Sequence, residues 1–137
     1  MAQLDKIHQA VKNALVKDGW TIMAENFQFR FKELKLYGDI EAERIVAEKD
    51  EQRIIVEVKS FLGVSAITEF HHALGQYRVY KRILSQLKPL AKIYLAVTEA
   101  VYNEFFSGEG MQFLIEQEEV SLFAVNLERE EIVLWKS

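Results

Sequence analysis

Between Trp20 and Val58 apolar side chains recur at every second position, a spacing that no α-helix can gather on one face. This stretch is committed to strands. Phe27, Phe29 and Phe31 alternate with polar residues, Leu34 and Leu36 do the same, and two further apolar runs follow, which predicts a meander of three or four antiparallel strands. Its clearest member runs from Gln52 to Val58, with Ile54, Val56 and Val58 on one face and Arg53, Ile55, Glu57 and Lys59 on the other. Lys49-Asp50-Glu51 is the polar break before it.

On either side the period returns to that of a helix. Leu4, Ile7, Val11 and Leu15 make one apolar stripe from Leu4 to Asp18, and Gly19 is placed to stop it. A longer helix is predicted over residues 66–87 through Ile67, Phe70, Leu74, Tyr77 and Leu84, closed by Pro89. Lys92 to Thr98 then reads as a short strand covered on both faces, because IYLAV leaves no side for solvent. Short helices near Val101–Phe106 and Met111–Glu116 and strands over Ser121–Val125 and Ile132–Trp135 complete the order. The expected fold is α/β, a central mixed sheet flanked by helices, in a single domain over residues 1–137. Repeats and linkers are absent from the sequence.

With no cysteine, any metal must be held by oxygen or imidazole, which points to a hard cation such as magnesium or manganese. No apolar run approaches the roughly 20 residues of a membrane span, and MAQLDKIHQAV lacks the layout of a signal peptide, so a cytoplasmic place is expected. A net charge of -4 argues against general polyanion binding, yet the charge is uneven. Residues 61–98 carry five cations against Glu69 alone, whereas residues 99–137 carry nine acids against Arg129 and Lys136. If a phosphate backbone is bound, Arg78, Lys81 and Arg82 are the expected contacts; the plainer reading is a solvated helix face.

Glu57 and Lys59 project from one face at the end of the clearest strand, and a hairpin can bring Asp39 beside Glu57. Phosphodiester hydrolysis needs a metal that polarises a phosphoryl oxygen and acidifies a water, together with a positive group for the developing charge. Two acids and a lysine supply that set. An exposed pair on an ordinary strand would look the same, except that charge in a central strand is costly without a partner.

Asp39, then Glu57-Val58-Lys59 after an apolar strand, then a helix bearing Gln76, resembles the PD-(D/E)xK restriction-endonuclease-like superfamily, with Gly38 where that pattern prefers proline. Over nearly the whole chain, HQAVKNALVKDGWTI, AERIVAEK, VEVKSF, HHALGQYRVY and EEIVLW resemble the XisH family of cyanobacterial fdxN-element excision controlling factors. The resemblance implies a restriction-endonuclease-like fold and a role in programmed DNA rearrangement. The implied partners are DNA, a site-specific recombinase and a small companion protein, XisI; a second copy of the chain is a further candidate that the resemblance does not supply. It also implies Asp39 and Glu57 as metal ligands, Lys59 as the catalytic lysine and Gln76 as its helper. Two readings follow: a metal-dependent nuclease, or a catalytically silent accessory subunit working through protein contacts.

Glu41 is expected to face solvent, with an added ligand as the alternative, and Glu43 and Glu48 to lie on an exposed strand face with a further-acid role as the alternative. His71 and His72 point about 100° apart on a helix and cannot easily share an ion, while His72 and Gln76 share a face. His8 is read with them as a surface or core-edge residue. Tyr77 and Tyr80 interleave with Arg78 and Lys81, which suits core packing at least as well as a nucleic-acid strip.

Overall fold

The computed structural model describes residues 2–47 and 50–136, so the candidate acid Glu48 and part of the turn at Lys49 lie outside the described residues. Helix α1 spans Ala2–Lys17 and ends where Gly19 takes a φ of 94°. There Trp20 N–H donates to Leu15 O and Gly19 N–H to Val16 O, which satisfies carbonyls the helix would otherwise orphan. Strands β1 (Thr21–Phe31), β2 (Leu34–Ala47) and β3 (Asp50–Val58) form the antiparallel meander.

Helix α2 (Ala66–Leu87) crosses over, capped by the Ser65 side chain at Thr68 N–H, and delivers β4 (Ala91–Thr98) parallel to β3. A short helix α3 (Glu99–Val101) runs into a π-helical turn, Tyr102–Phe106, and α4 spans Glu109–Gln117. Strand β5 (Leu122–Asn126) lies parallel to β4, and β6 (Glu131–Lys136) closes antiparallel to β5. The fold is α/β: one six-stranded mixed sheet in the order β1-β2-β3-β4-β5-β6, with helices on both faces. Among the described residues no helix is long and apolar enough to cross a membrane.

The alternation along β3 divides the core in two. Ile54 and Val56 pack with Ile7, Val11 and Leu15 of α1, whereas Ile55 packs with Phe70, Tyr77 and Leu84 of α2. Leu95, Ala96 and Val97 of β4 are fully buried, as IYLAV requires. Two apolar positions depart from the expected stripes: Leu4 of α1 is 46% exposed, and Ile67 is 42% exposed because the α2 face that meets the sheet begins at Phe70. The expected helix at Val101–Phe106 opens into the wider turn, which carries both Phe105 and Phe106 against Phe61.

Candidate functional site

Glu57 reaches the end of β3 on the α2 side of the sheet, where it is only 2% exposed. Its Oε1 is buried with no hydrogen-bond partner. Burial, reinforced by the charge of Asp39 and opposed by that of Lys59, pushes its carboxyl up to about 9. Asp39 lies on β2, one residue before the Ile40–Val56 register pair, and its Oδ2 accepts from Val58 N–H at 2.8 Å. The preceding Gly38 leaves room for the Phe27 ring, from which a Cβ there would stand 2.3 Å.

Lys59 follows the last residue of β3 and is fixed at both ends. Its N–H donates to Ala96 O at 2.9 Å, and its Nζ donates to Gln76 Oε1 on α2. Asp39, Val58 and Lys59 form part of the lining of a groove of about 680 Å³ between the N-terminal half of α1 and the first turns of α2. The C-terminal end of a parallel strand opening on such a crevice is the usual place for a ligand in α/β sheets.

Two carboxylates, one with an unbonded buried oxygen, fit a hard divalent cation: the cation would satisfy Glu57 Oε1 and offset the repulsion from Asp39. Among the described residues no three of His, Asp and Glu converge. Water and substrate oxygens would therefore complete the shell, as suits magnesium.

The other candidates take definite places. His72 lines the groove and Gln76 bonds Lys59, in keeping with their shared helix face. His8 also lines it, 3.1 Å from Glu25, while His71 is exposed on α2. Glu41 does not face solvent as expected. It is 7% exposed, bonded to Lys88 at 2.9 Å with Arg53 at 3.9 Å, and those cations make its burial affordable. Glu43 pairs with Arg53 at 2.6 Å. Tyr77 and Tyr80 belong to the core. Arg78 pairs with Glu118, and Arg78, Lys81 and Arg82 line a separate groove with Glu118 and Glu119.

Glu25 was not foreseen. It lines the candidate groove, held by Lys12 at 2.8 Å and by His8, and these bonds keep its carboxyl below the usual range. The one sequence signal is the break in alternation at Glu25-Asn26, where Asn26 takes a φ of 45°.

Residues 1–133 match the family model described as XisH protein. The chain belongs to the XisH family. This XisH chain is 38% identical to the crystal structure of an XisH family protein from Nostoc punctiforme PCC 73102. That match covers 96% of this chain and 99% of the other, with a TM-score of 0.86. It is 37% identical to the structure of a fdxN element excision controlling factor protein from Anabaena variabilis, over 97% of this chain and 99% of the other, with a TM-score of 0.85. No curated protein matches it.

Proposed function

We propose that this XisH chain is a DNA-excision controlling factor that binds DNA and hydrolyses a phosphodiester bond at a divalent-cation site made by Asp39 and Glu57, on the restriction-endonuclease-like plan. The observation that carries the reading is the buried, unbonded Oε1 of Glu57, set beside Asp39 and two residues from a lysine held by a helix side chain. A stability role does not explain that arrangement, because an unpaired buried carboxyl beside a second acid costs free energy. Its place at the end of β3, beside Asp39 and Lys59 that line the groove, supports a ligand there. Membership of a family that includes an excision controlling factor supports DNA as the substrate, with a site-specific recombinase and a small companion protein as the proposed partners.

A bound magnesium or manganese ion supplies Lewis acidity toward a phosphoryl oxygen and an acidified attacking water. The chain's own residues set the rest. Glu57 must release its proton to bind, and Asp39 is held toward the site by its bond from Val58 N–H. Lys59, kept from drifting by Gln76, places its ammonium against the negative charge that builds on the phosphate as water adds and the ester oxygen leaves.

The test is nicking of a supercoiled plasmid by the full chain in magnesium or manganese. Cleavage by the wild type, lost in Lys59→Ala and Glu57→Gln, is expected. Absence of cleavage with any of several DNA forms, while metal and DNA still bind, would favour the silent accessory subunit.

A further inference from the structure

Six cations of this chain, Lys12, Arg44, Arg53, Arg78, Lys88 and Arg129, stand in ion pairs with neighbouring acids. The β1–β2 hairpin is different. Residues 28–37 carry Arg30, Lys32 and Lys35 against Glu33 alone, and among the described residues none of those three cations is within ion-pair distance of an acid. Phe27, Phe29 and Phe31 turn onto the α2 core, so the alternate residues Gln28 and Arg30 present the other side of the hairpin. The register sets Gln28 opposite Tyr37 and Arg30 opposite Lys35, and all four are exposed, Tyr37 by 58%.

Arg30 and Lys35 are therefore like charges directly across a ladder, roughly 5 Å apart at Cβ by the ordinary geometry of such pairs. That juxtaposition is unfavourable in the free protein, and an anion lying between the two relieves it. Gln28 and Tyr37 add neutral donors of the kind that contact phosphate. The strip also leads to the candidate site. The two strands pass from the groove-lining residues Asn26 and Asp39 straight into these pairs. From Asp39 to Lys35 is four residues along β2, about 13 Å at ~3.3 Å per residue, which is roughly four base-pair steps of duplex at ~3.4 Å.

We infer that the outer face of the β1–β2 hairpin, centred on the Arg30–Lys35 pair, is the track on which duplex DNA lies as it enters the groove. The inference rests on the reading that DNA is the substrate, and it departs from the α2 strip. There Arg78 is already paired with Glu118, and Glu119 lines the same groove, so a phosphate must compete with acids. On the hairpin, phosphates meet cations that have no partner to give up.

The experiment is fluorescence-anisotropy titration of a labelled DNA duplex by the full chain in EDTA across a salt series, with melting curves as a check on folding. Arg30→Gln with Lys35→Gln should flatten the slope of log affinity against log salt by about 1.8, at ~0.9 per lost phosphate contact. The same variant should melt no lower than wild type, because it removes a repulsion. Arg78→Gln with Arg82→Gln should leave the slope unchanged. A wild-type slope in the hairpin variant, loss of slope in the α2 variant instead, or no DNA binding by the wild type would overturn the inference. Hairpin-dependent binding with no cleavage would sink only the nuclease reading, and cleavage with hairpin-independent binding would sink only the track.

Discussion

Val58 N–H donates to Asp39 Oδ2 at 2.8 Å, so a side chain closes the β2–β3 ladder two residues beyond the Ile40–Val56 pair. Strand pairing gives way there to a carboxylate, and the groove opens at the same point. One consequence is that the charge of Asp39 bears on Glu57, whose environment carries the testable content of the site.

Glu57 in the native state holds its proton up to about pH 9, whereas an unfolded glutamate loses it near pH 4.3. Between those values the native state binds one proton more than the unfolded state, so stability falls as pH rises. Glu57→Gln removes this dependence and keeps the shape. In urea melts with EDTA, the variant should match wild type near pH 5 and gain on it by on the order of 1 kcal/mol per pH unit toward pH 9. Parallel stability curves would mean that Glu57 titrates as an ordinary carboxyl.

Gln76 acts through Lys59, as a positioning residue. Gln76→Ala should slow metal-dependent cleavage by about 10- to 100-fold with little change in metal affinity, the usual cost of losing an orienting partner. Lys59→Ala should abolish cleavage and still bind the ion. A Gln76→Ala enzyme that cleaves at the wild-type rate would show that the lysine needs no help.

Gly38 is set by its neighbour rather than by its own backbone angle. Adding a Cβ drives into three atoms of the Phe27 ring, at 2.3, 2.7 and 2.9 Å, and that ring packs against Phe29 with Lys88 over it. Gly38→Ala should cost about 1–3 kcal/mol, as other overpacked sites do, and should weaken the site by moving Asp39. Chemical denaturation measures the first effect and metal affinity the second.

Tyr77 serves the core rather than a ligand. Its hydroxyl accepts from Ser121 N–H at 2.9 Å and donates to Glu119 O at 3.2 Å, with the ring 1% exposed. Tyr77→Phe should destabilise by about 1–3 kcal/mol, the cost of a buried N–H left without a partner. DNA binding should be unchanged; weaker binding in a fully folded variant would return Tyr77 to the nucleic-acid surface.

Elements were legible in the sequence where periodicity alone decides them. Residues 66–87 form α2 as expected, and the two faces of β3 divide the core as Ile54 and Ile55 foretold. What could not be read from local pattern depends on contacts far apart along the chain. Glu41 is buried because Lys88 comes to it from 47 residues away, and Arg78 is neutralised by Glu118 across 40. Glu25 joins the groove through His8, 17 residues earlier, at a break in alternation that no motif marks. The Arg30–Lys35 pairing was hidden for a similar reason: it follows from hairpin register, and composition placed the basic surface on α2.

The central claim, that Asp39 and Glu57 hold one divalent cation, is tested most directly by isothermal titration of manganese into the full chain near pH 7.5 in buffers of different ionisation enthalpy. With Glu57 protonated up to about 9, wild type should bind one ion and release about one proton as it does so, with affinity rising as pH rises toward that value. Glu57→Gln should bind none. Binding by Glu57→Gln equal to wild type, or no binding and no proton release by wild type at millimolar manganese, would contradict the site.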